Sequence, residues 1–174
     1  MKTAIVILNW NGLDLLKKFL PSVVKNTPND INIYVVDNGS TDTSINFINT
    51  NFSSITTISL DKNYGYAQGY NLGLKKIDAE IICMLNNDVE VKPGWTDPVL
   101  ELFKTEKNTA IIQPKMLNYN DRKKFDYAGA AGGYLDKFGY PYCRGRLYNS
   151  IEIDNGQYDD VKEIFWACGA CFFI

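Results

Sequence analysis

Ile81-Ile82-Cys83-Met84-Leu85-Asn86-Asn87-Asp88 is the stretch that decides the fold: an unbroken apolar run that ends on two amides and a carboxylate. The pattern occurs twice upstream. Ile5-Val6-Ile7-Leu8 runs into Asn9-Trp10-Asn11-Gly12, and Ile33-Tyr34-Val35-Val36 runs into Asp37-Asn38-Gly39-Ser40. Strands buried on both faces read as such runs, and they belong to parallel sheets covered by helices. In an open sheet of that kind, ligands bind beyond the carboxyl ends of the strands. The three runs therefore direct amides and carboxylates to one rim, which is the layout of a binding cleft.

Between the runs the period changes to that of helices. Leu13, Leu16, Phe19, Leu20, Val23 and Val24 share one face, as helical spacing requires. Asn11 is the expected N-cap, with Asp14 a weak capping-box partner, and Pro21 is expected to kink or divide this helix. Ser40 to Asp42 offer caps for a helix through about Asn49, and Ile55 to Leu60 reads as a third strand. A helix from about Tyr66 to Lys76 precedes a strand at 80–85. After the Pro93-Gly94 turn, a helix runs from about Trp95 to Lys104, and Ala110 to Gln113 reads as a fifth strand. This alternation predicts an α/β fold of three layers around a mostly parallel sheet. Beyond Pro114, Tyr, Gly and Asp dominate residues 119–158. That composition predicts loops and short antiparallel strands that cover one end of the sheet and shape a pocket.

A chain of 174 residues, 45% of them hydrophobic, is long enough for one domain with a proper core. Its net charge of −2 provides no basic field for nucleic acid. No apolar stretch approaches the roughly 18 to 20 residues that span a bilayer, and Met1-Lys2-Thr3 leads directly into a strand rather than a signal peptide. A cytoplasmic protein is the default, with peripheral contact to a membrane face left open. The chain contains no histidine, which excludes Ser-His-Asp triads, Cys-His pairs and His-bearing zinc sites. Cys168-Gly169-Ala170-Cys171 has redox or half-zinc spacing, but it sits in an apolar run with no second pair to complete a zinc site. These cysteines read as buried thiols.

Three motifs carry the chemistry. Asp88, flanked by Asn86 and Asn87, is placed to hold a hard divalent cation, since Mg²⁺ takes one or two protein carboxylates and fills its other positions with water and phosphate; a turn cap is the plain alternative. Asp37 emerges where it can accept from a base N–H or a ribose hydroxyl, with Gly39 free for a tight turn; a well-made βα loop reads the same way. Gly65, Gly69 and Gly73 recur every fourth residue after Asn63. On a helix this makes a smooth stripe for a ligand or for close packing on the sheet. The G-x-G-x-x-G fingerprint of a Rossmann dehydrogenase and the P-loop motif are both absent from these turns.

Taken together, Val-Ile-Leu-Asn-Trp-Asn-Gly (6–12), Val-Val-Asp-Asn-Gly-Ser-Thr-Asp (35–42), Asn-Tyr-Gly-Tyr-Ala-Gln-Gly-Tyr-Asn-Leu-Gly (63–73), Leu-Asn-Asn-Asp-Val (85–89) and Pro-Gly-Trp (93–95) resemble the family 2 glycosyltransferases. These are inverting enzymes of the nucleotide-diphospho-sugar GT-A fold. The variants here are similar to a bacterial rhamnosyltransferase-like subgroup of cell-surface polysaccharide assembly. The resemblance covers residues 1 to about 118. It implies a nucleotide-sugar-binding α/β subdomain over 1–118 and an incomplete, loop-rich acceptor-side segment over 119–174. It further implies nucleotide contacts from Leu8, Asn9, Asn11, Asp37, Gly39, Asn63, Gly65, Asn71 and Asn87, and a divalent cation, Mg²⁺ or Mn²⁺, on Asp88. The donor would be a UDP- or dTDP-linked sugar and the acceptor a glycan or lipid-linked glycan.

Two departures qualify that resemblance. Amides replace the first acid of the family's Asp-x-Asp region, which weakens the expected grip on the metal. The family's carboxylate base follows a strand like Ala170-Cys171-Phe172-Phe173-Ile174, so it is expected beyond Ile174, and the 174 residues are expected to bind a nucleotide sugar while transferring it poorly. A non-catalytic nucleotide-sugar or partner-binding module is the alternative. A sugar-nucleotidyltransferase is a weaker one, because Asn9 to Leu16 lacks the Arg and Lys that hold a triphosphate.

Overall fold

The computed structural model describes residues 1–127 and 129–174. Strands and helices alternate through the first part as β1 (Thr3–Asn9), α1 (Leu13–Asn26), β2 (Asn32–Asp37), α2 (Ser44–Asn51), β3 (Ile55–Ser59), α3 (Gly65–Leu74), β4 (Ile81–Asn86) and α4 (Asp97–Thr105). Five short strands follow: β5 (Gly133–Leu135), β6 (Pro141–Cys143), β7 (Arg146–Leu147), β8 (Ser150–Ile151) and β9 (Cys171–Phe173). The main sheet has the order β3-β2-β1-β4-β9. Its first four strands pair in parallel, and β9 returns antiparallel along β4.

The apolar runs are continuous because both faces of the sheet are covered. Ile5, Ile7, Ile33, Val35, Cys83 and Leu85 meet Leu16, Leu20 and Val23 of α1, Ile48 of α2 and Val99 of α4. On the opposite face, Ala4, Val6, Val36 and Ile58 meet Tyr70 and Leu74 of α3. Burying each such aliphatic side chain stabilises the fold by roughly 1.5–3 kcal/mol. The glycine stripe of α3 belongs to this second face. A Cβ on Gly73 would stand 2.4 Å from Val36 Cγ2, and one on Gly69 would stand 3.1 Å from Leu8 Cδ1. Close packing therefore accounts for Gly69 and Gly73, whereas a Cβ on Gly65 would meet open space.

Three local expectations are corrected. Ala110 to Gln113 forms no strand of its own; it makes a single antiparallel bridge between Ile112 and Phe173 of β9. Asn11 does not cap α1. It takes φ +49, Gly12 holds the cap position, and no side-chain capping bond forms, so Asp14 closes no capping box. Pro21 does not divide α1, because Leu16, Phe19, Leu20 and Val23 are buried on both sides of it and hold one continuous helix.

The Tyr- and Gly-rich segment carries a second sheet of short strands, in the order β5-β6-β7-β8, joined by turns and loops beside buried Phe125, Ala130 and Ala131. Gly145, at φ +85, lies so close to the Phe125 ring that a Cβ would stand 2.4 Å from it. Lys115 anchors the segment by ion pairs to Asp154 and Asp159, and Arg144 by one to Asp160. All four cysteines are free, with Cys83, Cys168 and Cys171 buried. Among the described residues, no helix is long and apolar enough to cross a membrane.

Candidate functional site

The register of the sheet aligns the strand ends. Leu8 stands opposite Val36 on one side and Asn86 on the other, and Asn9 stands opposite Asp37. The residues just past these positions therefore share one rim, with β1 between the Asp37 and Asp88 turns.

Hydrogen bonds knit the rim. Asn9 is fully buried, and its Nδ2 donates to Asp37 Oδ1 and to Ser40 Oγ, each at 3.3 Å. Asn87 Nδ2 donates to Asn9 Oδ1 at 3.2 Å. Asp37, also buried, accepts from Ser40 N at 3.1 Å. Asn11 bridges the first and second turns. Its N–H donates to Ser40 Oγ at 2.9 Å, and its Oδ1 accepts from Thr41 N at 2.7 Å and Asp42 N at 3.2 Å.

Asp42 in turn accepts from the N–H groups of Leu13 and Ser44 and from the Ser44 hydroxyl. Burial pushes its carboxyl up. The bonds from Ser44 and Leu13 outweigh that and hold it below the usual carboxylate range. The helix starts α1 and α2 are thus pinned to each other by one carboxylate, which is why neither needs its own side-chain cap.

The third loop is held by Asn38, which the sequence did not single out. Asn38 is buried; its Nδ2 donates to Asn63 Oδ1 at 2.9 Å and Gly65 O at 3.0 Å, and its Oδ1 accepts from Tyr64 N at 2.9 Å. Gly39 takes φ +74 against the same loop, where a Cβ would stand 2.4 Å from Lys62 C. Asn63 and Gly65 are thereby carried to the rim, exposed. Asn71 is not. It lies exposed on α3, and among the described residues no hydrogen bond ties it to these loops. Leu8 is half-buried and packs beneath α3.

Asp88 is exposed on the turn after β4. It stands at the wall of a cavity of about 670 Å³ lined also by Asn86, Glu90, Trp95, Arg122, Asp126, Tyr127 and, from the β9 end, Ala170 and Cys171. Trp95 adds a signal the sequence could not give: its indole N–H is buried without a partner among the described residues. Tyr127 is 74% exposed on this wall. Trp166 instead packs flat on Gly133, where a Cβ would lie 2.2 Å from its ring, and donates from Nε1 to Tyr134 O at 3.0 Å. Arg144 is occupied by Ala131 O and Asp160. Both side chains thus serve the second sheet.

Among the described residues, no three Asp, Glu or Cys side chains converge as a metal cage. A Mg²⁺ or Mn²⁺ that bridges to phosphate oxygens needs only one or two protein carboxylates, and exposed Asp88 fits that demand.

The profile of glycosyl transferase family 2 matches residues 4–164. The chain belongs to that family. Its match to an uncharacterised glycosyltransferase of Nostoc is 27% identical over 193 residues, 99% of this chain and 59% of that protein. The chain thus spans less than two thirds of that relative's length. Among solved structures, Staphylococcus aureus TarS 1–349 superposes with a TM-score of 0.63 at 18% identity, covering 78% of this chain and 41% of that one. The mannosyltransferase PcManGT of Pyrobaculum calidifontis, in complex with GDP-Man and Mn²⁺, superposes at 0.58 and 16% identity over 69% of this chain and 36% of that one. The fold is accordingly that of the GT-A glycosyltransferases: mixed α/β around a mainly parallel sheet.

Proposed function

We propose that the family 2 domain binds a nucleoside-diphosphate sugar, UDP- or dTDP-linked, across the strand ends and serves its transfer, with inversion, to the hydroxyl of a glycan or lipid-linked glycan. The single observation that carries this reading is the placement of Asp37 and Asp88 on one rim with only β1 between them. Residues 1–118 supply the donor side, and residues 119–174 shape the acceptor side.

Asp37 and the loop of Asn63 and Gly65 receive the nucleoside. Asp88 faces the diphosphate, and a Mg²⁺ or Mn²⁺ bound there supplies positive charge that offsets the leaving group. The sugar and acceptor lie toward the cavity at the paired ends of β4 and β9, where Tyr127 and Trp95 offer flat apolar faces. Exposed Asn11, at φ +49, lines the entrance. Asp159 and Asp160 are engaged by Lys115 and Arg144, so neither is assigned as the base that deprotonates the acceptor. Nucleotide binding is the activity that reports on the donor side directly. A rhamnosyltransferase-like hexosyl transfer in bacterial cell-surface polysaccharide synthesis, at the cytoplasmic side with peripheral membrane contact, is the setting this chemistry suits.

Calorimetry with UDP, dTDP, GDP and the triphosphate UTP, each with and without Mg²⁺ or Mn²⁺, tests the reading. Metal-dependent binding of a diphosphate is expected. Preference for a triphosphate would instead favour a nucleotidyltransferase, and silence toward every nucleotide would favour a partner-binding module.

A further inference from the structure

Asn9 lies at the carboxyl end of the central strand, fully buried, with both ends of its amide engaged. Its orientation is chemically forced. A carboxylate only accepts, so the side facing Asp37 must be the NH₂. The carbonyl oxygen then faces the Asn87 side chain, and whatever stands there must donate. Asn87 does so at 3.2 Å. The polarity runs in one direction, from the Asp37 carboxylate through the Asn9 amide to the Asn87 amide. A carboxylate at position 87 would face an oxygen, and turning Asn9 over would only move that repulsion to Asp37.

A second observation covers the same contact. Buried Gly12 sits directly on it, such that a Cβ there would stand 2.4 Å from Asn9 Oδ1 and 2.5 Å from Asn87 Nδ2. Its φ of −105 suits any residue, so the absence of a side chain at position 12 serves the Asn9–Asn87 contact rather than a backbone turn.

We propose that Asn9 is a positioning residue: its buried amide holds the Asn87–Asp88 turn in register with Asp37, so that the two ends of the site respond to each other. It acts through the two turns rather than by touching ligand. The amide at position 87, the middle position of the Asp-x-Asp region, is the donor that the Asn9 carbonyl demands once Asp37 has fixed the Asn9 amide. The proposal rests on the donor-site reading for its functional consequence, but its structural half stands without any ligand.

Two measurements test it on the chain as it stands. In ¹H–¹⁵N spectra of the ligand-free protein, Asp37→Asn shifts the Asn87 side-chain and Asp88 backbone signals. The same change made on Asn9→Leu or on Gly12→Ala leaves them in place. In calorimetry, Mn²⁺ strengthens UDP binding to the parent protein by a factor in the range of roughly 5- to 150-fold, as coupled sites do. In Asn9→Leu and Gly12→Ala that factor falls to about one. The two variants reach the contact by different routes, and folding is read from the dispersion of the same spectra, so a misfolded variant leaves the other decisive.

If Asp37→Asn moves the Asn87 and Asp88 signals equally in the presence and absence of Asn9, the proposal is overturned. An unchanged Mn²⁺ factor in a folded variant overturns it as well. If the parent binds no UDP, the donor-site reading falls while the spectra still decide the role of Asn9.

Discussion

Asn38 Nδ2 donates to Asn63 Oδ1 at 2.9 Å beneath the rim, tying the end of β2 to the loop that opens α3. The same amide satisfies Gly65 O and Tyr64 N. Asn38→Ala strands these backbone groups, and a lost partner of this kind costs about 1–3 kcal/mol. Urea unfolding is expected to show that loss. UDP affinity is expected to weaken alongside it, because Asn63 and Gly65 lose their support. Unaltered stability would show that the loop holds itself.

Gly39 and Gly65 share nearly the same φ, +74 and +75, but not the same surroundings. A Cβ on Gly39 would meet the Lys62 and Asn63 backbone, while one on Gly65 would meet nothing. Gly65→Ala is expected to lose only the left-handed penalty, about 1–2 kcal/mol. Gly39→Ala is expected to lose clearly more, because backbone must move. Equal losses in denaturant titrations would contradict the close approach of these loops.

Lys115, Asp154 and Asp159 give the second sheet a pH-dependent anchor. Its hydrogen bond to Lys115 holds the Asp154 carboxyl below its usual range. Burial lowers the Lys115 ammonium, but its bonds to Asp154 and Asp159 outweigh this and raise it. A carboxyl held low adds stability above its ordinary pKa of about 3.9, and loses it as pH falls through the folded value. A lysine held high adds stability below about 10.4, and loses it as pH rises through its own folded value. Thermal melts are thus expected to fall at both extremes. Asp154→Asn should flatten the acid limb; an unchanged limb would remove this anchor from the account.

Much of this architecture was legible because burial on two faces leaves a plain mark. The runs 5–8, 33–36 and 81–85 could only be inner strands, and register then brought Asp37 and Asp88 to one rim. What escaped depended on distant partners. The strand expected at Ala110 to Gln113 is reduced to one bridge because its partner, Phe173, lies far along the chain on a three-residue strand. Asn11 looked like a helix cap, yet its side chain reaches across to Thr41 and Asp42, which no local pattern records. Asn38 was hidden beside Asp37, since sequence alone does not say that both of two adjacent polar residues turn inward.

Asp88→Ala is expected to abolish the metal-dependent part of nucleoside-diphosphate binding and leave stability within about 0.5 kcal/mol, as for other exposed positions. Calorimetry beside a urea melt checks both. Unchanged affinity would remove Asp88 from the site.

The most direct measurement is a crystal structure of the chain with UDP and Mn²⁺. The account predicts the nucleoside against Asp37 and the Asn63–Gly65 loop, with the diphosphate joined to Asp88 through the metal, a Mg²⁺-like ligand distance of about 2.1 Å. A nucleotide bound away from the ends of β1, β2 and β4, or a diphosphate turned away from Asp88, would contradict it.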